Sequence, residues 1–199
     1  MKSDPEIHQR KSIRLKDFDY SQAGGYFVTV VTFRREYLFG EVAGGEMQLN
    51  ALGRIVRAEW FRSVKTRKEI RLFADEFVVM PNHIHGIVWI DIDSVGADGV
   101  RPVEGIQSTR VDDFTGDIIK ATRRVPLQRK PKSLGSFIAG YKSSVTRRAR
   151  IELNSGNIWQ RNYYEHIIRN DDEHNRIHLY IESNPINWME DQENPGVNP

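Results

Sequence analysis

Cysteine is absent from the 199 residues. That excludes a disulfide framework, thiolate metal sites and cysteine nucleophiles, and it accords with a reducing, cytoplasmic setting. No apolar run approaches the ~20 residues that a spanning helix needs, so no membrane is expected. The opening stretch, MKSDPEIHQRKSIRLKD, has no apolar segment after its charges, so a secretory signal is not expected either. Phosphate-binding loops, dinucleotide fingerprints and Gly-x-Ser-x-Gly elbows are also missing.

Negative charge is missing locally. Between Lys120 and Arg150 there is no Asp or Glu, while Lys120, Arg123, Arg124, Arg129, Lys130, Lys132, Lys142, Arg147, Arg148 and Arg150 are all basic. Such a segment attracts polyanions, chiefly nucleic acid, although a solvated basic face would read the same way. The net charge is only +2 because acids crowd the C-terminal part, with Asp171, Asp172, Glu173, Glu182, Glu190, Asp191 and Glu193. At 39% apolar and 28% charged residues, the chain has the composition of one ordinary folded domain.

Residues 1–20 read as a polar arm and 189–199 as a loose acidic tail, with a single domain at 21–188. Tyr26 to Phe33 is rich in β-branched and aromatic residues and predicts a strand. Gly40 to Gly45 reads as loop and Met47–Leu49 as a short strand. Asn50 then caps a helix over about 51–66, whose apolar positions recur at helical spacing. Phe77–Met80, the turn Pro81-Asn82 and His83–Ile90 predict an antiparallel hairpin. Residues 91–132 form a long insertion without sustained periodicity. Ser133 caps a helix to about Leu153 that turns Lys142, Arg147 and Arg148 away from its apolar face. Ile158–Gln160 and Tyr163–Ile168 read as short extended pieces. Asn170 caps a last helix with an acidic first turn, ending near Ser183 because Pro185 follows. This order is α+β: an antiparallel sheet with helices packed on it, ferredoxin-like in sequence of elements.

Three constellations could carry chemistry. His83 and His85 flank Ile84 on a strand, so both imidazoles face one side, about 6.6 Å apart along it, and together could hold a metal ion. Tyr180 and Asn184 lie one helical turn apart on one face, pairing a phenol with a hard carbonyl ligand. Trp159, Arg161, Tyr163 and Tyr164 interleave rings with polar groups, as surfaces that stack single-stranded bases do. Each taken alone also fits ordinary core or surface.

Together these residues resemble a known family. FVVMPNHIHGIVWI, residues 77–90, is similar to the histidine–hydrophobic–histidine strand of the HUH endonuclease superfamily. IWQRNYYEHIIRN followed by YIESNP resembles the C-terminal signature of its REP-associated tyrosine transposase branch, and YFVTVVTF the family's opening strand. The resemblance spans roughly residues 10–190. It implies that His83 and His85 bind Mg²⁺ or Mn²⁺, with Asn184 as third ligand where insertion-sequence relatives carry Gln. It also implies that Tyr180 cleaves single-stranded DNA beside a hairpin, forming a 5′-phosphotyrosine and a 3′-hydroxyl; by residue type Tyr163 and Tyr164 compete for that role, but they lack a partner like Asn184 at helical spacing. The basic stretch, Trp159, Arg161, Tyr163 and Tyr164 would hold DNA in a cytoplasmic, nucleoid-associated protein. Family members act as monomers or homodimers. A catalytically silent DNA- or RNA-binding domain on the same fold is the alternative.

Overall fold

The computed structural model describes residues 18–91 and 131–196. Among them, the strands are β1 (Gly24–Val31), β2 (Gly40–Ala43), β3 (Glu46–Leu49), β4 (Ile70–Arg71), β5 (Phe77–Val79), β6 (His83–Ile90) and β7 (Tyr164–Ile168). The helices are α1 (Ala51–Arg62), α2 (Leu134–Leu153) and α3 (Asp171–Ser183).

The helix starts follow the capping chemistry of the sequence. Asn50, Ser133 and Asn170 are extended, and their side chains accept from the amides of Gly53, Ser136 and Glu173. The α2 helix stops at Asn154, which adopts the left-handed conformation that C-terminal Asn tolerates.

Strand order β4-β6-β1-β7, with β5 also on β6, is the antiparallel α+β arrangement expected from the element order. The two central strands, β1 and β6, pair in a register that sets Thr29 opposite His85 and Val31 opposite His83. Side-chain alternation then divides the sheet. Tyr26, Val28, Val30, Ile84, Val88 and Ile90 face α1 and α2, where Trp60, Phe137 and Tyr141 fill the main core. Phe27, Ile87 and Trp89 face the other way, under Ile177 and Ile181 of α3. Gly86 belongs to the main-core side, and a Cβ there would stand 2.7 Å from the Trp60 ring, so the close packing of that indole requires glycine. His83 and His85 therefore face the α3 side.

Two expectations are corrected. Residues 40–43 are strand rather than loop: Gly44 and Gly45 both take positive φ and form the two-residue turn of a β2–β3 hairpin. The stretch 189–196 is folded rather than loose. Trp188 packs edge-on against Tyr37, Tyr37 donates to Asn194, and Arg35 pairs with Glu193 at 3.2 Å. Asp191 and Asn194 are buried as a result. Long-range packing anchored by one indole outweighs the weak local propensities of the segment. Residues 1–17, 92–130 and 197–199 lie outside the described residues. Most of the arm expected at 1–20 and nearly all of the insertion are among them, as are the candidates Lys120, Arg123, Arg124, Arg129 and Lys130; at the arm's end, Tyr20 is buried in the main core rather than polar surface.

Candidate metal centre and nucleophile

Strand β6 begins at His83, directly after the Pro81-Asn82 turn, and its pleat puts His83 and His85 side by side with Nε2 atoms 2.9 Å apart. Both are buried. Asn82 donates through Nδ2 to the carbonyls of Arg35 and Glu193, so its Oδ1 faces His83 Nδ1 at 2.8 Å. That oxygen can only accept, which puts the His83 proton on Nδ1 and leaves the Nε2 lone pair facing the cluster. His85 Nδ1 lies 2.8 Å from the Thr29 hydroxyl, which can donate or accept. Phe27 stacks on the His85 ring.

A third group arrives from the C-terminal segment. Asp191 Oδ2 stands 3.9 Å from His83 Nε2, and one ligand atom from each of His83, His85 and Asp191 fits within 4.8 Å of the others. Asn184, on the turn that ends α3, donates through Nδ2 to Asp191 Oδ2 at 3.0 Å. Its Oδ1 is buried without a hydrogen-bond partner. Two imidazole nitrogens, a carboxylate and a buried unused amide oxygen make a donor set that could hold a divalent metal ion. An orphaned buried carbonyl oxygen is costly unless something fills the space before it.

Electrostatics prepare the same site. Burial, with the Arg35 charge adding to it, pushes His83 down to about 3. Burial and His83 hold His85 well below the ordinary imidazole range, against the pull of Asp191. Both rings are thus neutral near pH 7, the form that binds metal. Tyr180 is half-buried on α3, its hydroxyl 3.3 Å from His85 Nε2. Burial, then the Asp191 and Glu193 carboxylates, push its pKa above the ordinary phenol value, while a hydrogen bond from Asn184 pulls the other way. Burial and Asp191 also raise Glu193, opposed by Arg35.

The structure therefore brings His83, His85, Tyr180 and Asn184 together. Asp191 completes the ionisable cluster, and Asn82 and Thr29 orient the rings. Nothing in the sequence marked Asp191 except its acidity, and it sits in a stretch expected to be loose.

Other candidates are placed differently. Tyr163 is buried in the main core, so it can neither stack bases nor attack a phosphate. Tyr164 is half-buried on the α3 side, edge-on to Phe27. Trp159 packs between Phe39 and Tyr141 rather than presenting a free face. Lys142 is buried as well, its stem among core residues and its ammonium donating to the carbonyls of Gln160 and Asn162. Arg148 is paired with Glu152 and Glu59. Lys132, Arg147 and Arg161 are exposed. The α2 residues lie across the sheet from Tyr180.

No protein-family model matches the chain. A structure of a REP-associated tyrosine transposase bound to a REP hairpin superposes with a TM-score of 0.51, covering 88% of this chain and 74% of that one at 22% identity. The fold is thus that of the tyrosine transposases, and it carries an HUH-like His-x-His pair beside an aspartate. An uncharacterized protein of Haemophilus influenzae is 38% identical over 186 residues, 94% of this chain and 93% of the relative, and the chain belongs to the same family as that protein. Among the described residues no helix is long and apolar enough to cross a membrane.

Proposed function

We propose that the protein is a metal-dependent single-strand DNA endonuclease and strand transferase in which Tyr180 is the nucleophile. The observation that carries this reading is the Tyr180 hydroxyl lying 3.3 Å from His85 Nε2, at the edge of the buried His83–His85–Asp191 cluster. His83, His85 and Asp191 would hold the cation, Asn184 Oδ1 would be a further ligand, and Asn184 Nδ2 steadies the carboxylate. A divalent ion bound there supplies positive charge that offsets the carboxylates and polarises a phosphate.

This chain's residues perform the transfer. The Tyr180 oxygen attacks phosphorus, a phenolic O–P bond forms, and the P–O3′ bond breaks. The proton lost by the phenol is balanced by the one taken up by the departing 3′ oxygen. That hydroxyl can attack the 5′-phosphotyrosine of another strand, so joining needs no external energy source. Substrates are single strands with hairpins. The structural neighbour, solved on a REP hairpin, supports that choice.

The test is a denaturing gel of the protein incubated with hairpin oligonucleotides and Mn²⁺ or Mg²⁺. A covalent adduct that vanishes in Tyr180→Phe and in EDTA is expected. An adduct that persists in Tyr180→Phe transfers the role to Tyr164. Hairpin binding with no adduct in the wild type overturns the nuclease reading in favour of a silent binding domain.

A further inference from the structure

Strand β1 leaves the sheet opposite His83, and the chain then turns sharply at Phe33–Glu36. Arg34 and Arg35, at φ 55° and 58°, both stand in the left-handed region, which glycine occupies without strain. The turn is held there by several bonds. The Glu36 amide donates to the Phe33 carbonyl, Thr32 Oγ1 donates to the Glu36 carbonyl, and the Asn82 amide donates to the Arg35 carbonyl. The effect is to expose what should be covered: Phe33 keeps 38% of its surface in solvent, with the exposed Arg34 guanidinium over its ring, 5.1 Å from the centroid.

A second loop is stitched to this turn. The Phe33 amide donates to the Ile158 carbonyl at 2.8 Å and the Gln160 amide to the Val31 carbonyl at 3.0 Å. Arg161 is exposed on that loop, and the carbonyls on either side of it, those of Gln160 and Asn162, are both clamped by the buried Lys142 ammonium. A buried cation is a costly way to fix a loop. Here it rigidifies the backbone on both sides of an outward-pointing arginine.

We infer that Phe33, Arg34 and Arg161 form a platform for one unpaired nucleotide at the metal-centre end of the sheet, its base on the Phe33 ring and its phosphates on the two guanidiniums. The inference rests on the proposed single-strand DNA reading and deepens it. An exposed ring with one cation on it and a second on the loop bonded to its turn matches the two faces of a nucleotide, aromatic and anionic. Strain that the surroundings over-determine is characteristic of ligand-holding segments. Lys142 is then a positioning residue and not a DNA contact.

The test is fluorescence anisotropy in EDTA, where no cleavage occurs, using one DNA hairpin with a 5′ single-stranded flank, a 3′ flank or none. The wild type should bind one flanked form more tightly than the blunt form. Phe33→Ala, and Arg34→Ala combined with Arg161→Ala, should each weaken that form by about tenfold or more and leave the blunt form within about twofold. Phe33→Trp should retain the preference. These side chains are exposed, so the substitutions spare the core. A flank preference that survives both variants, or a wild type that binds flanked and blunt hairpins equally, overturns the platform and leaves the nuclease reading standing. A wild type that binds none of the three overturns the DNA reading and the platform with it.

Discussion

The 2.9 Å contact between His83 Nε2 and His85 Nε2 requires one hydrogen between the two nitrogens. Asn82 fixes the His83 proton on Nδ1, so without a cation the shared hydrogen belongs to His85. With a cation, both Nε2 lone pairs are needed, and the His85 proton must sit on Nδ1 facing Thr29 Oγ1. The hydroxyl suits either tautomer because it donates and accepts. Valine has the same shape and can do neither. Thr29→Val should therefore leave the fold intact and weaken Mn²⁺ binding by about 10- to 100-fold, the usual cost of removing a ligand's outer partner. Calorimetric titration of the full chain with Mn²⁺ checks this. Unchanged affinity would show that Thr29 does not set the tautomer. Asp191→Asn in the same titration should weaken binding too.

Among the elements, α2 shows best what a sequence can and cannot declare. Its start at Ser133 and its end before Asn154 were legible because caps are local chemistry. The fate of Lys142 was not. A lysine among basic neighbours reads as surface, and only the arrival of Gln160 and Asn162 from elsewhere in the chain gives its ammonium acceptors inside. Tyr163 inverts the error: an aromatic beside Arg161 reads as a stacking ring, but just before β7 the chain turns it into the main core. The His-x-His pair was legible because strand alternation is local, whereas Asp191 reaches the site only through long-range packing.

Lys142 also gives a pH signature. Burial lowers it from 10.5 to about 8. Between those values the unfolded chain binds the proton and the folded chain does not, so stability rises with pH through that window and is reduced below it. Urea titrations should show wild-type stability gaining about 1 kcal/mol between pH 7 and 9 relative to Lys142→Met, which lacks the group. A constant difference between the two proteins would contradict this.

At the scale of the molecule, the sheet has unequal faces. The α1–α2 side buries the large continuous core, whereas α3 packs through a cluster of five buried apolar residues, its own Ile177 and Ile181 on Phe27, Ile87 and Trp89. Buried polar contacts supplement them near the start of α3, where His174 meets Glu76 at 2.7 Å and Glu76 accepts from the Trp89 indole. Near Tyr180, Ile181 is enclosed on the sheet side while Leu179 on the opposite side is 61% exposed. Local opening costs less where less apolar surface is covered. Backbone amides of α3 should therefore exchange with deuterium before those of α1 and α2. Equal protection in all three helices would refute the asymmetry. Earlier exchange would mark the α3 side as a separate cooperative unit, and Tyr180 is carried on it. On the proposed reading, the group that would meet two DNA ends in succession then sits on the part of the protein held by the smaller apolar cluster, where re-seating costs least.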